Sequence, residues 1–564
     1  MSDITLPTLP AIHMPRSTRT SGLLRRLWFD DPWLTLTFCS ALVMSVAALW
    51  FASAHHWILL YSDATSHLSI ARRVIDNATP GLAQLGGIWL PLPHLLMLPF
   101  IWNGMLWRSG LAGSIPAMLA YIVAAVYLYR SALRLTNDGR ASFIGSLVFI
   151  INPNILYLQT TPLSETILMA AMIVACYYYL VWAQEAQMRD LILAAGVTFL
   201  ATLARYDGWA LFAAAFVMIV PIGLMRHETR QQIVAHLFIF GMLGGLGIAL
   251  WFLWNKMIFG DLLYFQHSAF SSQTQQMLQI NAGTDQTYHQ LPQAIHDYTV
   301  VSAESLGPVL LALAVVGVLV FLSRNKVSVT MLAGLIFLVP FAFYIVSLYS
   351  GQAIIWAPHA APAQIVTPWY NVRYGSQIIA PAALFLAVLV RRWPLGRWAL
   401  LLVTVAQSVV LFQGGIITVQ DGQFGSSCSL YSSIPQYLAQ HYRGGTILQD
   451  TYDTRTNIGA AGIDLDAIVY EGSGKLWLDA LSHPADHVEW VIVKNRDILT
   501  SGDMVSQHIK TTDPHFLANF SLATVDVLTR AMLYHHNGLA PLPNRKVIPQ
   551  EVGDNNPTCG SVRS

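Results

Sequence analysis

Charge is scarce in this 564-residue chain, with Asp, Glu, Lys and Arg making up 11% of it, against roughly 25% in a typical soluble domain. A water-soluble enzyme and a highly charged disordered regulator are both excluded. The 31 basic and 30 acidic residues nearly cancel, so there is no global signature of a nucleic-acid partner. Four cysteines are too few for a disulfide framework. Cys39 and Cys176 lie inside apolar runs and read as small packing residues. Cys428 and Cys559 lie in a polar C-terminal part, where pairing requires an oxidising compartment. The first apolar run lacks a small-residue cleavage motif, so no cleavable signal peptide is expected.

Apolar residues take the place of charge. They form 54% of the chain, its mean hydropathy is +0.50, and they come in runs near the roughly 20 residues that a helix needs to cross a bilayer. The runs are 33–51, 111–129, 141–158, 166–183, 191–204, 208–225, 233–255, 306–323, 328–349, 375–390 and 397–413. The segment 91–107 is apolar but carries Pro91, Pro93, His94 and Pro99, and reads as an interfacial or re-entrant helix. The expected fold is an α-helical polytopic membrane protein of about 11 transmembrane helices with a small extracytoplasmic C-terminal α/β domain. With the N-terminus cytoplasmic, inner segments hold fifteen Lys and Arg and outer ones six, which satisfies the positive-inside rule. That divides the chain into a cytoplasmic segment 1–31, a transmembrane domain 32–415 with outer loops 52–110 and 257–304, and an outer domain 420–564. In the last, Thr446–Gln449, Ala467–Tyr470 and Glu489–Val493 read as strands, and Tyr431–Tyr442 and Leu476–Leu481 as helices.

Ionisable groups near a bilayer are costly, so their positions carry information. Asp63 follows the first run, and His67, four residues on, shares its helical face. An acid at this lip suits a general base, and equally a helix N-cap. Trp89 and His94 belong to a proline-stiffened stretch whose simpler role is to anchor at the headgroups. Glu165 opens the run 166–183, where the helix dipole tolerates a carboxylate, but the polar residues before it suggest function. Arg205, in Arg205-Tyr-Asp-Gly208, breaks an apolar stretch. Its planar fork suits a phosphate, or an internal ion pair with Asp207 or Glu165. Arg373, in Asn371-Val-Arg-Tyr374, opens a late run; it either binds a second phosphate oxygen or snorkels to the headgroups. The sequence shows no closely spaced set of the ligands zinc prefers, and a divalent cation would require Asp63 and Glu165 to meet in space.

Taken in order and sidedness, these features resemble the GT-C superfamily of integral-membrane glycosyltransferases, which includes protein O-mannosyltransferases, the lipid A aminoarabinose transferase and oligosaccharyltransferases. The features are the acid opening a long first outer loop (Asp63), Leu90–Pro93 within that loop, Glu165, the Arg205–Gly208 turn, Asn371–Tyr374 and a C-terminal outer domain. The resemblance covers about 30–415. It implies transfer of a hexosyl or pentosyl group from a polyprenyl-phosphate donor in the outer leaflet to an acceptor hydroxyl of unknown class, with inversion and no cofactor. Asp63 and Glu165 become the catalytic pair, with Asp63 as base. Arg205 and Arg373 become the phosphate ligands, and His67, His94 and Asp207 line the substrate. Ala64 departs from the family, where an acid pair often follows the first span, and leaves a partner role open to Glu165 or His67. The expected location is a bacterial or archaeal plasma membrane. A multi-span transporter or flippase of a lipid-linked or anionic substrate is the alternative; the odd span count and the loaded first loop weigh against it.

Overall fold

The structure, a computed structural model, describes residues 31–538 apart from 269–270, 325–326, 364, 366–367, 426–431, 451–457, 497–501 and 528. Cys428 and Cys559 lie outside the described residues, as do 1–30. Among the described residues, seven helices are long and apolar enough to cross a membrane, and nine spans result if two bent pairs each count as one. One pair, Arg230–Gly244 with Leu246–Phe259, bends by 41°; the other, Leu291–Leu306 with Pro308–Arg324, bends by 112°. The sharper bend has a local cause. Gly307 takes φ +98°, open to a residue without Cβ, and Pro308 cannot continue the preceding hydrogen-bond ladder. The other two expected runs form shorter helices, Gly139–Ile150 and Met188–Ala204, of 12 and 17 residues. Segment 91–107 forms Leu92–Ile101 and the start of Gly104–Ser109. The polar stretch 257–304 contains helices Tyr264–His267 and Ser272–Asn281 and most of Leu291–Leu306.

Two helices form the centre of the bundle. The spans Glu165–Glu185 and Val372–Val390 are 89% buried, against 22% for Pro32–Ala54 at the periphery. Apolar attraction between helices is weak in lipid, so close backbone approach at small residues matters. A Cβ on Gly317 would lie 2.4 Å from the Phe385 carbonyl oxygen, so this crossing accepts only glycine.

The C-terminal part forms a five-stranded mixed sheet: β1 (Ile447–Leu448), β2 (Ile468–Val469), β3 (Trp490–Val493), β4 (Phe520–Val525) and β5 (Met532–His536). Their order is β2-β1-β3-β5-β4. β1 pairs parallel with β2 and β3, while β5 pairs antiparallel with β3 and β4. The three expected strands are present, as are helices Ile434–His441 and Lys475–Ser482; β4 and β5 were not anticipated.

This domain packs on the first long loop. Ile434, Leu438, Ile447 and Trp490 share one apolar cluster with Leu60, Tyr61, Ala64 and Leu68. Around it, Tyr470 lies under the Arg73 guanidinium at 3.9 Å and accepts a hydrogen bond from Asn77 Nδ2 at 3.3 Å. Its hydroxyl donates to Gln84 Oε1. Arg108 pairs with Asp464 at 3.1 Å. The helix carrying Asp63 is therefore held between the bundle and the sheet.

Candidate active site

Three α-helices begin at one place, each with an acid in its first turn: Ser62–Arg73 with Asp63, Glu165–Glu185 with Glu165, and Asp207–Met225 with Asp207. Asp63 is the second residue of its helix and Tyr61 is the N-cap, so the capping role considered for Asp63 is not the one it plays. Arg205 stands in an extended conformation just after Met188–Ala204. The turn that follows is possible because residue 208 is glycine: a Cβ there would lie 2.2 Å from the Ala201 carbonyl oxygen. Arg373 lies in the 3-10 helix Val372–Ile378, which leads into the central helix Ile379–Val390.

The charged residues meet in a continuous network. Arg373 Nε donates to Glu165 Oε1 at 2.9 Å and Nη2 to Asp63 Oδ2 at 2.5 Å. Arg205 Nη1 donates to the same Glu165 oxygen at 3.0 Å and to Ser164 Oγ at 3.2 Å. Arg205 Nε reaches Asp207 Oδ2 at 3.3 Å. The Arg373 and Arg205 guanidiniums lie 5.2 and 5.1 Å from the Tyr374 ring centre, and Arg373 lies 5.0 Å from that of Tyr61. Arg373 is buried, so it does not snorkel to the headgroups: its side chain is 4% exposed, Glu165's is 1% and Asp63's is 30%. Asp63 and Glu165 meet through a guanidinium rather than across a gap. Among the described residues, no group of three His, Cys, Asp or Glu side chains is placed to hold a metal ion.

Two features of the network bear on what it can bind. Among the described residues, the buried atoms Arg373 Nη1 and Glu165 Oε2 have no hydrogen-bond partner, and an unpaired buried donor is costly. Three carboxylates face two guanidiniums, leaving a side-chain charge of −1. Each of the three helix N-termini adds up to about half a positive charge, so the balance at the helix ends is compatible with an anion.

His67 and His94 form a pair beside this network, with His67 Nδ1 2.8 Å from His94 Nε2, and the His67 ring stacks on Trp89 at 4.3 Å. Trp89 is kept in place by its neighbours: the Tyr206 hydroxyl donates to the Ile88 carbonyl at 2.7 Å and Trp254 Nε1 to that of Gly86 at 2.9 Å. His94 is fully buried, so the headgroup-anchor role does not apply to it. Burial, reinforced by the Arg205 and Arg373 charges, pushes His67 down to about 3, so it is neutral at physiological pH. His94 Nδ1 is buried without a hydrogen-bond partner among the described residues. A buried lone pair left unpaired is cheaper than a buried N–H left unpaired, so His94 carries its proton on Nε2 and donates to His67 Nδ1. The His67 proton then sits on Nε2.

All seven residues singled out in the sequence fall in this region. Asp63, Glu165, Arg205, Asp207 and Arg373 form one network, and His67 and His94 form the pair beside it. Sequence reasoning missed Ser164, Tyr374, Tyr61 and Asp421, whose Oδ2 lies 3.1 Å from the Tyr61 hydroxyl. The signals available were weak: Tyr61 is two residues before Asp63, and Asp421 is the first acid after the last apolar run.

Residues 101–254 match the family model of dolichyl-phosphate-mannose-protein mannosyltransferase. The matched stretch is about a quarter of the chain, and that family is what the region is similar to. Glu165, Arg205 and Asp207 lie inside the matched stretch; Asp63, His67, His94 and Arg373 lie outside it and join the site only through the fold. No curated protein matches the chain.

Proposed function

We propose that this membrane glycosyltransferase moves a sugar from a polyprenyl phosphate to an acceptor hydroxyl on the extracytoplasmic side, with inversion at the anomeric carbon. The observation that carries this reading is Arg373: a buried guanidinium that grips Asp63 and Glu165 while Nη1 has no hydrogen-bond partner among the described residues. A donor phosphate oxygen fits that nitrogen, with Arg205 beside it. Glu165 accepts hydrogen bonds from both guanidiniums and holds them together against their mutual repulsion.

Asp63 is the base. Arg373 engages Oδ2, no described residue hydrogen-bonds Oδ1, and the side chain is the most exposed of the network's carboxylates. The acceptor oxygen forms its bond to the anomeric carbon as the bond from that carbon to the phosphate oxygen breaks. The electron pair leaves with the phosphate and the acceptor proton goes to Asp63. Negative charge therefore grows on the phosphate as it disappears from Asp63, and Arg373 can shift its hydrogen bonding from one to the other. Donors already aimed at the departing oxygen need no reorganisation. The neutral His67 Nε2–H supplies a further donor without adding charge, and Trp89 and His67 form a wall for the sugar.

The test is to incubate purified protein with a radiolabelled polyprenyl-phosphate sugar. Wild type is expected to transfer or slowly hydrolyse the label, and Asp63→Asn to lose at least about 100-fold while still folding. Full activity in Asp63→Asn would refute the base assignment.

A further inference from the structure

The Asp63–Arg373 contact is made by side chains from segments 310 residues apart in sequence, so something must fix the two backbones relative to each other. Asp421 is placed to do so. It is fully buried and follows the short helix Ile417–Gln420. Its Oδ2 accepts from the Val372 backbone N–H at 3.1 Å and lies 3.1 Å from the Tyr61 hydroxyl. The Tyr61 proton is shared with the Thr418 carbonyl, 2.8 Å away. Val372 precedes Arg373, and Tyr61 is two residues before Asp63. Nearby, Thr418 N and Oγ1 both donate to Asn154 Oδ1, at 3.2 and 2.9 Å. That tie reaches the short helix Pro153–Leu158, which precedes Glu165 in the chain.

We infer that Asp421 is a positioning residue for the transfer reaction, setting the separation of Asp63 and Arg373 through Tyr61 and Val372 without itself touching substrate. An apolar residue here would fill space but accept neither bond. The buried Val372 N–H would lose its partner, and Tyr61, whose ring packs against the Arg373 guanidinium, would keep only the Thr418 carbonyl to orient its hydroxyl. Displacements of about 1 Å in such a site cost on the order of 100-fold in rate, so one buried carboxylate behind the reacting pair has leverage on turnover. The inference rests on the reading of Asp63 and Arg373 as the reacting pair.

The experiment compares Asp421→Leu, Asp421→Asn and Tyr61→Phe in the full-length protein, by steady-state transfer and by hydrogen–deuterium exchange. In Asp421→Leu, kcat is expected to fall about 30- to 100-fold with the donor KM within about threefold, while the amides around Val372 exchange faster. Asp421→Asn keeps an acceptor oxygen for the Val372 N–H, so its kcat is expected within about fivefold of wild type. Tyr61→Phe is expected to lower kcat about three- to tenfold with KM unchanged, and it carries the test if Asp421→Leu does not fold. Wild-type kcat in either Asp421→Leu or Tyr61→Phe overturns the inference, as does an unchanged exchange rate at Val372 in Asp421→Leu. Absence of transfer by wild type, with exchange responding as described, instead overturns the reaction assigned to the site and leaves the positioning geometry standing.

Discussion

Replacing Arg373 with methionine isolates the element on which the site depends. The substitution keeps most of the side-chain volume and deletes the charge, taking the network from three carboxylates against two guanidiniums to three against one. A pair of unit charges about 4 Å apart is worth roughly 4 kcal/mol at an effective dielectric near 20. The Asp63 contact counts for less because that side chain is 30% exposed, whereas the Glu165 side chain is 1% exposed and cannot recruit water. Glu165 keeps Arg205 as a partner, so the expected loss of stability is about 3 kcal/mol, at the lower end of the range for breaking a buried pair. Adding Glu165→Gln removes the stranded charge. The double variant should recover roughly half of that loss while remaining inactive, since the guanidinium whose Nη1 would hold the phosphate is gone. Unfolding of the purified protein in detergent by denaturant reads the first quantity, and transfer from labelled donor reads the second. A single variant within about 1 kcal/mol of wild type, or a double variant no more stable than the single, would refute the claim that Arg373 compensates buried carboxylates.

Other consequences follow from titrating groups and from the docked C-terminal domain. His67 is held near 3, below its ordinary 6.5. The unfolded chain therefore binds the extra proton between those values, and stability present above 6.5 is lost as pH falls through that window. His67→Gln should flatten this acid-side slope, and an unchanged slope would count against burial of a neutral ring. Burial, helped by the nearby Asp450 charge, lifts Asp503 from 3.8 to about 7. Here the folded state holds the proton longer, so stability is greatest below 3.8 and declines as pH rises to about 7. Asp503→Asn should slow hydrogen exchange in β3 and β1 at pH 8, by up to about 4 kcal/mol in opening free energy, with little effect at pH 4. Tyr470→Ala removes the ring beneath Arg73 and the hydrogen bonds with Asn77 and Gln84. It should weaken docking of the sheet on the first loop by about 2–3 kcal/mol, seen as faster proteolysis within residues 74–86; resistance equal to wild type would mean the apolar cluster alone holds the interface.

What the sequence determined is what a local pattern can encode. Each of the eleven apolar runs is a helix or a broken pair of helices, because run length and the absence of charge depend only on neighbouring residues. The acids at the starts of Ser62–Arg73, Glu165–Glu185 and Asp207–Met225 were likewise visible as charges beside apolar runs. Strands β1 to β3 were legible as short buried runs, whereas β4 reads as exposed and partly polar, so its pattern looked like loop. Partnership was decided only by the tertiary structure. Arg205 and Arg373 each had an ion-pair or lipid-facing alternative, and which applied depended on helices crossing closely enough to bring both guanidiniums onto Glu165. The same crossing turned His94 inward onto His67 and placed Asp421 behind Tyr61 and Val372. Such pairings join residues tens to hundreds of positions apart, and the free energy that selects them comes from desolvation and packing, which exist only once the helices have come together.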